Sequence, residues 1–181
     1  MKIISGFFKG RTIKGYDIDG TRPTMDRVKE SLFGSIQNYV PNSVVLDLFS
    51  GSGNLGFEAL SNNAKFCYFN DKNIKCCKLI DSIIKELGLN DKSRCFNMHY
   101  NKLLDYFIEN KICFDIVFLD PPYKMDCLNE VVKKIYDNGL INKNGIIVCE
   151  IDTLYLNVNS LLKIKEKKYG NKYIVIYKNN V

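Results

Sequence analysis

Val44-Val45-Leu46-Asp47-Leu48-Phe49-Ser50-Gly51-Ser52-Gly53-Asn54-Leu55-Gly56 runs from an apolar stretch through a glycine-punctuated turn into Phe57, Glu58, Ala59 and Leu60, which continue as a helix. This reads as the first βα unit of a nucleotide-binding sheet. The glycines at 51, 53 and 56 keep the G-x-G-x-x-G spacing, which lets the backbone turn tightly, approach a ligand and pack the helix on the strand. In dinucleotide-binding folds such a turn offers bare N–H groups to a pyrophosphate. Here Asp47 stands four residues before the first glycine. An anionic side chain at that place is a poor neighbour for phosphate and suits a cationic ligand.

The next apolar run, Lys65 to Asn70, ends at Asp71, which lies 20 residues beyond Gly51. That is the separation at which an acidic side chain meets ribose hydroxyls, so an adenosine-type ligand is implied; the plainer reading of Asp71 is a loop carboxylate. Further along, Phe114-Asp115-Ile116-Val117-Phe118-Leu119 leads into Asp120-Pro121-Pro122-Tyr123. Open α/β sheets place their chemistry at such strand ends. Each proline locks its own φ and removes a competing N–H, which leaves the Asp120 carboxylate and the Pro121 carbonyl as an acceptor pair. Tyr123 adds a face for stacking. An amine-bearing ring such as a nucleobase fits the corner, whereas by itself Asp-Pro-Pro-Tyr also reads as a simple strand-to-loop turn.

In combination these segments resemble a known family. Asp47-Leu48-Phe49-Ser50-Gly51-Ser52-Gly53 resembles the S-adenosylmethionine-binding motif of Rossmann-like methyltransferases, and Asp120-Pro121-Pro122-Tyr123 resembles the motif of those that methylate exocyclic nitrogens of bases. Arg11, Thr21-Arg22-Pro23-Thr24 and Asp26-Arg27-Val28-Lys29-Glu30-Ser31-Leu32-Phe33 are similar to the lead-in of the RsmD family, bacterial 16S ribosomal RNA (guanine-N2)-methyltransferases; the likeness runs from about residue 1 to residue 150. The resemblance implies a mostly parallel α/β sheet with an antiparallel C-terminal strand, helices on both faces and a small N-terminal β-hairpin. It implies S-adenosyl-L-methionine as cofactor, held by Asp47, Phe49, Ser50, Gly51, Gly53, Asp71, Lys72 and His99. Asp120, Pro121, Pro122 and Tyr123 would form the catalytic corner, with Lys9, Arg11, Arg22 and Arg27 meeting 16S rRNA or the assembling small subunit. Two departures stand out. Asp71 replaces the usual glutamate, and Asn97-Met98-His99-Tyr100 occupies the place of an acidic adenine contact, with His99 as the substitute. A DNA adenine-N6 methyltransferase, which uses the same corner, and a non-catalytic RNA-binding relative are the alternatives.

A length of 181 residues with 46% hydrophobic residues fits one domain: residues 1–22 as a hairpin extension, 23–181 as the core. No apolar run approaches the ~18 residues of a membrane span, and the start lacks a secretory apolar stretch, so the expected location is cytoplasmic. The 7 cysteines are odd in number and form no C-x-x-C pair, which reads as reduced core thiols. The single histidine cannot build a metal site. The net charge of +6 is concentrated at the ends: residues 1–22 carry +3 and 163–181 carry +5, leaving −2 in between. Basic flanks around an acidic middle suit a polyanion held over an internal site; for Lys163 to Lys178 the simpler reading is solubility. A monomer is expected.

The remaining periodicity predicts a hairpin over Met1 to Thr12 and a helix capped by Thr24 with Val28, Leu32, Ile36 and Tyr39-Val40 on its apolar face. A second helix from Asn73 should bury Ile74, Cys77, Ile80, Ile84 and Leu87 and stop at Gly88. Strands are expected over Arg94 to Met98, Phe114 to Leu119 and Gly145 to Glu150, with a helix over Cys127 to Asn138. The chain should close with Leu161 to Lys165 and Tyr173 to Tyr177 around Gly170-Asn171.

Overall fold

The computed structural model describes residues 2–13, 26–122, 127–152 and 160–181. Thr24, Arg22 and Tyr123 therefore lie outside the described residues. The strands are β1 (Val44–Asp47), β2 (Phe66–Asn70), β3 (Ser93–Phe96), β4 (Phe114–Leu119), β5 (Ile141–Ile151), β6 (Leu162–Tyr169) and β7 (Lys172–Lys178). They form one sheet in the order β3-β2-β1-β4-β5-β7-β6. Strands β1 to β5 pair in parallel, and β7 runs antiparallel to both of its neighbours.

The helices are α1 (Asp26–Ile36), α2 (Asn54–Ser61), α3 (Ile74–Leu87), α4 (Tyr100–Glu109) and α5 (Leu128–Asp137). Successive strand side chains point to opposite faces, which divides the core in two. Val45, Ile116, Phe118 and Val148 pack with α1, α2 and α3 residues such as Phe33, Phe57 and Ile80. Leu46, Val117, Leu119 and Ile147 pack with Leu103, Phe107, Val132 and Ile135 of α4 and α5. Covering both faces explains the continuous apolar stretches Val44-Val45-Leu46 of β1 and Ile116 to Leu119 of β4.

Local signals held at most element ends. Asn73 caps α3 by accepting the Lys75 N–H at 3.0 Å, and Gly88 ends it in the left-handed conformation at φ 67°. The buried stripe of that helix is Cys76, Cys77, Ile80, Ile83 and Ile84, whereas Ile74 is 50% exposed. At 100° per residue Ile74 falls about 120° round the helix from Ile80, off the face that meets the sheet. Helix α1 ends at Ile36; Val40 is still buried, but through a turn in which the Tyr39 N–H bonds the Ile36 carbonyl. Helix α4 was not expected, although Leu103, Leu104 and Phe107 have the spacing of a helical face. Strand β5 begins earlier than Gly145 because its pairing with β4 jumps from Phe114↔Ile141 to Ile116↔Ile146, looping out the residues between. Strand β6 extends past Lys165 to Tyr169, an exposed lysine-rich edge of the kind that discourages pairing with another chain.

The N-terminal segment is a turn-rich loop closed by a single Lys2↔Thr12 antiparallel bridge, rather than a regular hairpin. A buried ion pair binds it to the core. Lys29 of α1 and Glu58 of α2 meet at 2.9 Å with both side chains fully enclosed. Glu58 also accepts from the Ile4 and Ser5 N–H groups at 3.0 and 2.8 Å, and Lys29 donates to the Lys2 carbonyl at 2.5 Å and to Asn54 Oδ1 at 2.8 Å. Such a pair needs this many hydrogen bonds to offset the cost of removing two charges from water. No helix among the described residues is long and apolar enough to cross a membrane, and all seven cysteines are unbridged.

Candidate active site

Strands β1 and β4 are neighbours, with Asp47 beside Phe118 in register. The chain moves outward from β1 to β2 and β3, then crosses to β4 on the other side of β1, so the crevice beyond their C-terminal ends is the topological switch point of the sheet. The turn after β1, the loop after β2 and the corner after β4 open into it.

Asp47 is buried, and its Oδ2 accepts the Gly56 N–H at 3.0 Å, tying the strand end to the first turn of α2. Burial raises its carboxyl from 3.8 to about 7; the Gly56 N–H opposes the rise, and the charges of Asp120 and Asp71 add to it. Gly51 and Gly53 have φ of 54° and 78°, a region L side chains rarely enter. A Cβ on Gly56 would stand 2.2 Å from the Phe69 ring, so only glycine lets α2 settle on β2.

Asp71 braces the same turn: its Oδ2 accepts the Gly51 N–H at 2.9 Å, and its Oδ1 accepts the Asn73 N–H at 2.8 Å. Each carboxylate oxygen keeps capacity for a second donor. Lys72 beside it is exposed. Ser50 is occupied internally, its hydroxyl donating to the Asp47 carbonyl at 2.6 Å and accepting the Asn70 N–H at 3.0 Å. Phe49 is half-buried, 5.5 Å from the Tyr100 ring. His99 is exposed and caps α4, its Nδ1 accepting the Asn101 N–H at 3.4 Å, while its ring lies 4.4 Å from that of Tyr100. The cap makes Nδ1 the acceptor and leaves the proton of a neutral ring on Nε2.

Asp120 ends β4 with its side chain 28% exposed, and Lys172 Nζ of β7 stands 3.8 Å from its Oδ1. The same ammonium pairs with Glu150 near the end of β5. Withdrawal from water lifts the Asp120 carboxyl from 3.8 to about 7; Glu150 adds to the rise, Lys172 opposes it, and Asp152 adds further. Pro121 is half-buried and Pro122 exposed. Asp47, Asp71 and Asp120, with Glu150 and Asp152 beside them, thus gather at the crevice, an arrangement that favours a positively charged ligand and disfavours phosphate.

The basic residues are not drawn into this cluster. Arg27 is exposed in the first turn of α1. Lys9 and Arg11 are exposed on the N-terminal segment, whose Phe7 N–H bonds the Ser61 carbonyl at the far end of α2, roughly 12 Å of helix from the glycine turn. Sequence reasoning missed Asn70, Glu150 and Lys172. Asn70 stitches two loops together, donating to the Leu48 carbonyl at 3.1 Å and accepting the Met98 N–H at 3.2 Å. Glu150 could have been found, since it closes a recognised parallel strand as Asp120 does. Lys172, in a run of similar lysines, carried no signal. Among the described residues no group of three or more His, Cys, Asp or Glu could hold a metal ion.

Residues 1–178 match the family model described as Conserved hypothetical protein 95. The chain is 32% identical over 184 residues to the ribosomal RNA small subunit methyltransferase D of Haemophilus influenzae, covering 99% of this chain and 94% of that protein. The solved structure of the Escherichia coli protein yhhF superimposes with a TM-score of 0.86 at 25% identity over 100% and 99% of the two chains. That of a Salinibacter ruber RNA methyltransferase in complex with S-adenosyl-L-homocysteine gives a TM-score of 0.66 at 14% identity over 87% and 93%, a likeness of fold.

Proposed function

The chain belongs to the Conserved hypothetical protein 95 family, and from that premise we propose that it is an S-adenosylmethionine-dependent methyltransferase that modifies the exocyclic N2 of a guanine in 16S rRNA of the small ribosomal subunit. The observation that carries the reading is the meeting of two motifs at one crevice, the Asp47 to Gly56 turn after β1 and the Asp120-Pro121-Pro122 corner after β4.

The donor set fits the cofactor. Asp47, lifted to about 7 by burial, gains from a nearby positive charge, which a sulfonium and an α-ammonium both supply. Asp71 has lone pairs for ribose hydroxyls, Phe49 a ring for the purine, Gly51 and Gly53 a backbone open to close approach, and His99 an Nε2 donor for the adenine edge. Lys72, exposed beside Asp71, borders the same pocket. Ser50 serves by holding the turn. When bound, S-adenosylmethionine would supply an electrophilic methyl carbon to the amine lone pair, with S-adenosylhomocysteine as the leaving product.

The protein's own task is to make a poor nucleophile attack. An exocyclic amine shares its lone pair with the ring, and acceptors on its hydrogens favour a more tetrahedral nitrogen. The Asp120 carboxylate and the Pro121 carbonyl are those acceptors, Pro122 rigidifies the corner, and Tyr123 stacks on a base swung out of its local structure. Most of the gain comes from orientation. A carboxylate whose value lies near 7 is also basic enough to take the proton that the amine releases after transfer. Lys9, Arg11, Arg22 and Arg27 contact the RNA backbone beyond the crevice. The whole of residues 1–181 works as one domain, with 1–22 as its extension, a cytoplasmic monomer in which the Lys29–Glu58 pair ties Lys2, Ile4 and Ser5 to the core.

The test is transfer of labelled methyl to unmodified small subunits, naked 16S rRNA and duplex DNA, with nucleoside analysis. N2-methylguanosine from either RNA substrate is the expected product. Label in DNA adenine, or binding without transfer to any of the three, overturns the proposal.

A further inference from the structure

Asp120 ends a strand whose neighbours contribute charge of both signs. Among the described residues, the charged groups that act on it are Asp47 from β1, Glu150 and the following Asp152 from β5, and Lys172 from β7. One cation therefore faces four carboxylates. Lys172 does not sit on Asp120 itself. Its ammonium is in close contact with Glu150 Oε1 and reaches Asp120 Oδ1 only at 3.8 Å, long for a hydrogen bond. The antiparallel insertion of β7 beside β5 makes this possible, because it brings the start of β7 to the sheet edge where the parallel strands end.

We propose that Lys172 and Glu150 are positioning residues for methyl transfer: Glu150 holds the Lys172 ammonium close enough to favour the ionised form of Asp120, yet at 3.8 Å from its Oδ1, too far to take the place of the target amine. The inference rests on the reading of Asp120 as the amine acceptor and adds how that acceptor is kept both charged and open. Each partner has a separate duty. Without the ammonium, the charges that the other described residues set around Asp120 are all negative, so in the ligand-free protein it takes up a proton more readily and presents an O–H where an acceptor is needed. Without Glu150, the ammonium is released to pair directly with Asp120, which stays ionised but is blocked. The proton balance is unchanged by the pair. The amine proton still leaves to Asp120 and from there to water.

The test compares wild type with Lys172→Met and Glu150→Gln by two readouts. The first is the pH dependence of single-turnover methyl transfer to the RNA substrate at saturating S-adenosylmethionine. The second is the titration of the Asp120 carboxyl followed by 13C NMR in the protein alone, which needs no activity. Lys172→Met should move the acid limb and the carboxyl titration upward by about one pH unit or more, and Glu150→Gln should move both downward by a similar amount. Glu150→Gln should also slow turnover on the pH plateau, while S-adenosylhomocysteine affinity stays near wild type in both variants. A merely structural pair would change rate or stability without opposite displacements. Unmoved titrations, or displacements in the same direction, overturn the proposal. Wild-type protein that methylates no RNA while Asp120 still titrates in opposite directions overturns the functional reading and leaves the electrostatic coupling standing.

Discussion

Replacing Asp47 by Asn should stabilise the ligand-free protein at alkaline pH. Asp47 is buried, and its carboxyl is raised from 3.8 to about 7, chiefly by that burial, with the Gly56 N–H opposing the rise and the charges of Asp120 and Asp71 adding to it. Between those two values the folded protein keeps a proton that the unfolded chain has lost, so stability falls as pH rises through the window, and the cost is fully expressed above the folded-state value. A gap of about three units corresponds to ~4 kcal/mol, of which roughly 2–3 kcal/mol accrues between pH 5 and pH 8.5. Asn is close in size and can still accept the Gly56 N–H, so the substitution removes the charge and little else. Urea denaturation of both proteins at pH 5 and pH 8.5 reads the effect. The advantage of Asp47→Asn over wild type should be larger at pH 8.5 by about 2–3 kcal/mol, and the variant should bind S-adenosylmethionine more weakly. An advantage equal at the two pH values, or smaller at pH 8.5, would refute the assignment of a buried, reluctantly charged Asp47.

Asp120→Ala should lower methyl transfer by about a hundredfold or more, as loss of one well-placed polar group does, with S-adenosylhomocysteine affinity near that of wild type; a full-rate variant would remove the corner from the mechanism. Lys29→Met and Glu58→Leu should each cost about 3–5 kcal/mol, because each strands a buried charge, and the double variant should cost less than either. Urea denaturation measures this, and amide exchange at Ile4 and Ser5 should rise in both single variants. Lys9→Glu combined with Arg11→Glu should raise the KM for RNA and flatten the salt dependence of RNA binding by about 0.7–0.9 per lost phosphate contact. An unchanged slope would mean that these residues serve solubility alone.

The sequence was most legible where a property belongs to a short stretch. Gly53 needs its left-handed turn and Gly56 its close approach within a few residues of β1, and Asn73 and Gly88 mark the ends of α3 through their own backbone preferences. The apolar run ending at Asp120 is β4 without adjustment. Asp71, expected from its spacing at the ribose hydroxyls, accepts the Gly51 N–H at 2.9 Å, because a βα unit followed by one strand leaves the chain little choice of where to return. Errors arose where a local pattern admitted two answers. The stripe of α3 is rotated away from Ile74, and in α4 only Leu103, Leu104 and Phe107 are buried, a short face that Ile108 and the two tyrosines obscure in the sequence.

What the sequence determined by itself was thus the first βα unit, the strand that leads into Asp120-Pro121-Pro122, and the alternation of strands with helices that makes the sheet mostly parallel. Spacing, glycine conformation and side-chain alternation act over a handful of residues and survive in any compact arrangement of the chain. Tertiary structure alone decided the rest. The Lys29–Glu58 pair spans two helices, the Asp120, Lys172 and Glu150 cluster spans three strands, and His99 became a helix cap. Those contacts depend on which strands become neighbours, and the insertion of β7 between β5 and β6 is an outcome of packing rather than of chain order. The same holds for charge. An aspartate in a list of residues is an ordinary acid, and Asp47 and Asp120 are lifted to about 7 only because folding withdraws them from water and sets them beside one another.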